Sequence, residues 1–118
     1  MNEDKALKKI MKELRTGLYT VIIMRLLSTH GPLHGYRLRV LVGEYTNGFL
    51  TPSESTIYGT LKMLERLGVV EPFWAESEIG PPRKYYKLTE YGSNLLKRIV
   101  REVKLIRDIL DKVDHNEV

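Results

Sequence analysis

Thr51-Pro-Ser-Glu-Ser-Thr-Ile-Tyr-Gly-Thr-Leu-Lys-Met-Leu-Glu-Arg-Leu-Gly68 is followed at once by Val69-Val-Glu-Pro-Phe-Trp74 and shortly by Gly80-Pro-Pro-Arg-Lys-Tyr-Tyr-Lys-Leu88. The first segment reads as a helix. Ile57, Leu61 and Leu64 recur at helical spacing on one face, and Gly68 supplies the left-handed exit that ends many helices. Two starts fit. Thr51 can cap, with Pro52 in the first turn and Glu54 closing a capping box, or Ser53 can cap two residues later. Val69 to Ser77 is rich in Val and aromatic residues, as strands are. Residues 78–82 form a loop, because Pro81 and Pro82 cannot donate to a sheet ladder. Arg83 to Leu88 is the return strand. A capped helix followed by a hairpin with a basic, Pro-rich tip is the order a winged helix-turn-helix needs: one helix for a DNA groove and a wing for the backbone.

Upstream, Leu7, Ile10, Met11 and Leu14 mark a helix that Asn2 or Asp4 can start. Gly17 weakens it by roughly 1 kcal/mol relative to Ala. A second helix, separate or continuous with the first, covers Gly17 to Ser28; Leu18, Val21, Ile22, Ile23, Leu26 and Leu27 are expected to be buried on most sides. His30-Gly31-Pro32 is a stop. A third helix runs from His34 to Thr46 with Leu38, Leu41, Val42 and Tyr45 facing inward, and Asn47-Gly48 ends it. Downstream, Thr89 caps a long last helix from Glu90 to Val113. Its Leu96, Ile99, Val103, Ile106, Leu110 and Val113 alternate three and four residues apart, a heptad seam that suits a helical partner. Asp114 to Val118 reads as a frayed end. The expected fold is mainly α with a two-stranded β wing. It occupies one domain over residues 1–118, with the winged helix-turn-helix at 15–89 and dimerisation helices at 1–14 and 90–113.

The chain has 118 residues and a net charge of +4, compatible with a polyanionic partner. It has no cysteine, which excludes disulfides, thiolate chemistry and Cys-type zinc sites. Met1 to Lys12 is charged rather than apolar, and the apolar run Leu18 to Leu27 is too short for a bilayer. A cytoplasmic chain without a membrane partner is expected. His30, His34 and His115 share no metal-ligand spacing with a carboxylate, and His34 reads as a helix-start residue. The segment from Gly31 to Gly35 lacks the Lys-Ser/Thr of a phosphate loop. No nucleophile, base and orienter come together, so neither a catalytic site nor a metal nor a cofactor is expected.

Short polar residues at a helix start (Ser53, Ser55, Thr56) allow close approach to base edges and phosphates, and Lys62 and Arg66 follow on the same face. An ordinary solvated face would look similar, but the wing adds Arg83, Lys84 and Lys87 beside a rigid tip. Tyr58 interrupts the two faces of the helix; it either packs against the wing or offers its hydroxyl to a phosphate. Trp74 reads as strand packing. The basic run along the last helix, Lys97 to Arg107, reads as its solvated side.

Gly31-Pro-Leu-His-Gly-Tyr36, Ser53-Glu-Ser-Thr-Ile-Tyr58 leading into Leu61-Lys-Met-Leu-Glu-Arg-Leu-Gly68, and Arg83-Lys-Tyr-Tyr-Lys-Leu-Thr-Glu-Tyr-Gly92 together resemble the PadR family of transcriptional regulators, over about Gly17 to Val113. The resemblance implies a winged helix-turn-helix repressor that dimerises through its first and last helices. It places Ser55, Thr56, Tyr58 and Lys62 on the recognition helix, Arg83 and Lys84 on the wing, and Tyr36 near the DNA backbone. Glu54 and Gly59 stand where the family often has proline; Glu54 is read as a capping residue. A single C-terminal helix looks like the family's short branch. That helix carries no Trp, so the planar-drug binding of some relatives is not transferred. The expectation is a homodimeric repressor on a palindromic operator in double-stranded DNA, open to a small-molecule effector. The rivals are a winged-helix module that binds protein, and a small-molecule-binding or enzymatic dimer whose aliphatic seam argues against it.

Overall fold

The structure, a computed structural model, describes residues 3–115. The helix start assigned to Asn2 and the last three residues of the tail lie outside that range. The order is α1 (Glu3–His30), β1 (Leu33–His34), α2 (Gly35–Tyr45), α3 (Glu54–Arg66), β2 (Val70–Ala75), β3 (Arg83–Leu88) and α4 (Glu90–Asp114).

α1 passes through Gly17 without a break, so the expected boundary between residues 14 and 15 falls inside one helix. A single glycine costs less than the packing of the downstream half recovers. That half supplies Ile23, Met24, Leu26 and Leu27 to the core, whereas Leu18 stays 42% exposed, outside the expected buried run. In α2, Leu38, Leu41 and Val42 are buried as their spacing predicts. Tyr45 is not: it is 62% exposed. Its hydroxyl lies 3.0 Å from His30 Nε2, tying the end of α2 to the end of α1. Asn47 and Gly48, both at positive φ, turn the chain out of α2. The Thr46 hydroxyl braces the exit by donating to the Val42 carbonyl at 2.8 Å and accepting the Leu50 N–H at 3.0 Å.

α3 begins two residues later than the Thr51 cap would place it. Ser53 is the cap, its hydroxyl accepting the Thr56 N–H at 3.1 Å. Glu54 is then the first helical residue and cannot close a capping box on Thr51. Pro52 precedes the cap instead of following it. Pro52 and Ile57 occupy the two positions of a hydrophobic staple, and both are buried. The helix ends in a Schellman pair: Gly68 N–H to the Glu65 carbonyl at 3.0 Å and Val69 N–H to the Leu64 carbonyl at 2.9 Å, with Gly68 at φ 74°.

The sheet is antiparallel in the order β1-β3-β2, one strand more than the two-stranded wing expected. β1 is two residues long, too short for any periodicity to announce it, and pairs Leu33 with Tyr86 and His34 with Tyr85. β2 and β3 pair Val70 with Leu88, Pro72 with Tyr86 and Trp74 with Lys84. α4 starts against the turn after α3. Thr89 caps it by accepting the Gly92 N–H at 2.9 Å and donates its hydroxyl to the Gly68 carbonyl at 2.7 Å. The approach is so close that a Cβ on Gly92 would run into the Val69 carbonyl. The core gathers α1, α2, α3 and the sheet around Ile23, Leu38, Ile57, Leu61 and Val69. Leu96, expected at a partner surface, is only 6% exposed and belongs to this core, with Ile99 packed beside it.

Candidate nucleic-acid interface

Three elements meet at the exposed end of the fold: the start of α2, the outer face of α3 and the wing. On α3, the amphipathic spacing that buries Ile57, Leu61 and Leu64 leaves Ser53, Ser55, Gly59, Lys62 and Arg66 exposed and Thr56 half-buried. The three hydroxyls cluster, with Ser53 Oγ lying 2.9 Å from Thr56 Oγ1 and 3.2 Å from Ser55 Oγ. The Glu54 side chain forms neither a hydrogen bond nor an ion pair among the described residues, which corrects its reading as a capping residue. Its place in the first turn still suits the helix dipole. Tyr58, left between two roles by the sequence, lays its ring against the start of α2. A Cβ on Gly35 would stand 2.6 Å from Tyr58 Cζ and 2.7 Å from its hydroxyl oxygen. The ring is nonetheless 43% exposed.

His34 holds the start of α2. Its Nδ1 accepts the Arg37 N–H at 3.1 Å, the helix-start role its position predicts. Its Nε2 lies 3.0 Å from Arg83 Nη1 on the wing. Both ring nitrogens thus face N–H donors, and a neutral imidazole can accept through only one of them. Burial, then the charges of Arg83 and Arg37, hold the His34 pKa below its ordinary 6.5. The Arg83 guanidinium also stands 5.9 Å from the centre of the Tyr36 ring, and Tyr36 is 61% exposed. Lys84 Nζ lies 5.7 Å from the centre of the Tyr86 ring. Burial, then Glu65, raises the Tyr86 pKa above 10, so its hydroxyl keeps its proton. Lys87 differs from its neighbours, being paired with Glu71 across the hairpin at 3.3 Å. Among the described residues no carboxylate pairs with Arg83 or Lys84. The wing tip is tied by Ser77, whose hydroxyl lies 2.8 Å from the Ile79 carbonyl and 2.9 Å from that of Pro81.

Trp74 departs from its expected packing role: it is 69% exposed. With Tyr36, Tyr58, Arg83 and Lys84 it lines a cavity of about 450 Å³ between wing and helices. Neither the placement of Trp74 nor the His34–Arg83 contact is legible locally, because each depends on elements that meet only in the fold.

The other group of expected contact residues lies along two projecting helix halves. Leu7, Ile10 and Leu14 are each more than half exposed on α1, with Met11 half-buried. Val103, Ile106, Leu110 and Val113 are exposed on α4, joined by Leu105 and Ile109. Among the described residues no group of His, Asp and Glu could hold a metal ion, and no helix is long and apolar enough to cross a membrane.

Residues 23–98 match the Transcriptional regulator PadR-like family. The fold is similar to a transcriptional regulator from Clostridium thermocellum, with 25% identity and a TM-score of 0.76 over 85% of this chain and 93% of that one. It is similar to a PadR-like transcription factor from Bacteroides fragilis, with 28% identity and a TM-score of 0.72 over 89% and 98% of the two chains. It is also similar to Bacillus subtilis PadR solved in complex with operator DNA, with 26% identity and a TM-score of 0.62 over 70% of this chain and 46% of that one.

Proposed function

Because this chain belongs to the PadR-like family of transcriptional regulators, we propose that it works in the cytoplasm as a sequence-specific DNA-binding repressor. It acts as a homodimer on a palindromic operator and catalyses no reaction. The observation that carries the reading is the convergence of three elements. Tyr58 of α3 and Tyr36 of α2 line one cavity with the wing cations Arg83 and Lys84, which have no carboxylate partner among the described residues. A second cavity joins the same two tyrosines to Glu54 at the hydroxyl-rich start of α3. The likeness to a PadR solved on operator DNA supports it. Ser55, Thr56, Lys62 and Arg66 face the major groove, while Ser53 fixes the helix start and Tyr36, Arg83 and Lys84 meet the backbone. The apolar stripes on α1 and α4 pair two copies, so that the two α3 helices lie about one duplex turn, roughly 34 Å, apart. A small-molecule effector that changes that spacing would release the DNA.

Fluorescence anisotropy tests the reading, using DNA from upstream of the chain's own coding region and an unrelated duplex, each titrated with salt. Tight, salt-sensitive binding that prefers the upstream duplex is the expected outcome. Equal binding to both duplexes would retain DNA binding and move the operator elsewhere. No binding to either at low salt would replace the reading with a protein-binding winged helix that uses the wing and Trp74.

A further inference from the structure

The cavity at the base of the wing points to a use of its own. β2 runs from the core out into solvent. Its alternation puts Val70, Pro72 and Trp74 on one face, and these are buried, half-buried and exposed in turn. The face that lines the core therefore continues past it and leaves a large indole uncovered, opposite Lys84 and across from Tyr58. Exposing an aromatic residue where it could have packed calls for an occupant. The neighbouring cations specify its charge. Arg83 rests on a His34 nitrogen that can accept from it only by giving up the α2 cap. Lys84 lies over an aromatic ring rather than against a carboxylate. Both are better satisfied by an anion.

The occupant follows from groove geometry, on the premise that α3 reads DNA as proposed above. With α3 in the major groove and the wing reaching toward the neighbouring minor groove, the strand that separates the two grooves crosses the crease between helix and wing. The cavity lies in that crease. We propose that it seats one phosphodiester of that strand: Arg83 and Lys84 hold the phosphate oxygens, and Trp74 packs against the adjoining deoxyribose with Tyr58 forming the opposite wall. Trp74 then adds affinity without reading sequence, because phosphate and sugar are common to every site.

The chain has one tryptophan, so its fluorescence reports on this cavity alone. Acrylamide quenching of Trp74 is measured with and without saturating duplex, and duplex affinity is measured against salt for the wild type, Trp74→Ala, Trp74→Phe and the pair Arg83→Ala/Lys84→Ala. The expected results are that duplex shields Trp74, and that Trp74→Ala weakens operator and unrelated duplex alike, by about tenfold, with the salt slope unchanged and most of the loss restored in Trp74→Phe. The double alanine variant flattens the slope by about one unit, the signature of one phosphate lost. Binding that leaves Trp74 equally quenchable, or that is indifferent to Trp74→Ala, would overturn the phosphate seat and leave the DNA-binding reading standing. Absence of binding by the wild type would overturn both.

Discussion

His34 shows how much one side chain can be asked to do. It caps α2 through Nδ1 and faces Arg83 through Nε2, with Arg37 also close, and the rings of Tyr36 and Tyr85 flank it. Glu76 and Glu78 line a separate cavity with His34 and Arg83 on the outer side of the wing, yet burial and the two cations win and the pKa is lowered. The sign follows. Below about pH 6.5 the unfolded chain takes up a proton that the folded chain still refuses, so the contribution of neutral His34 is complete above that pH. It is lost as pH falls through the lower, folded value. Melting temperatures of wild type and His34→Asn between pH 8 and pH 5 check this. Asn caps helices without titrating, so the variant should lose less stability than the wild type on acidification. Parallel curves would mean that His34 is not the group responsible. The sequence makes the cap legible, since His34 stands directly before the helical period. The conflict over its second nitrogen is not legible, because Arg83 lies 49 residues further along the chain.

At the scale of elements, what could be read ahead follows from how local the deciding interactions are. The face of α3 and the stop at Gly68 rest on residues within one or two turns, and the sequence carries them in full. The start of α3 does not resolve to one residue locally, because Thr51 and Ser53 are both good caps and each fits its own downstream pattern; the burial of Pro52 favours Ser53. β1 exists only through its pairing with β3, and Trp74 is exposed only because the hairpin outruns the core. Two glycines make the contrast testable. Gly17 lies in mid-helix with open space around its Cα, so Gly17→Ala should stabilise the chain by about 0.5–1 kcal/mol. Gly92 sits where α4 touches the backbone after α3, so Gly92→Ala must push the helix start away from Thr89's anchoring bonds to Gly68 and Val69. A loss of about 1–3 kcal/mol is expected, as for overpacking elsewhere. Urea unfolding of both variants decides it, and a neutral Gly92→Ala would show that α4 is free to shift at its start.

The whole molecule measures 54 × 36 × 25 Å, and the long dimension comes from two helices that outgrow the core they share. From Arg101 onward every described residue of α4 is exposed, as is most of α1 before Leu18. Six aliphatic side chains from Val103 to Val113 gain nothing from water, and a solvated monomer has no use for them. The proposed dimer gives them one, and the fold divides the heptad seam in a way that sharpens its test. Ile99 packs on the chain's own core, so Ile99→Asp should lower stability by burying an unpaired charge at any protein concentration. Ile106 is 56% exposed and touches no core, so Ile106→Asp should leave the protomer folded and act on assembly alone. Sedimentation should show the wild type as a dimer and Ile106→Asp as a monomer with the wild-type circular dichroism spectrum. On DNA, the variant should bind a single half-site nearly as well as a wild-type protomer does. It should lose the advantage of the palindrome, because two separate protomers no longer share one act of association. A dimeric Ile106→Asp would move the interface off the α4 seam. A monomeric variant that still prefers the palindrome would place the origin of operator symmetry somewhere other than these helices.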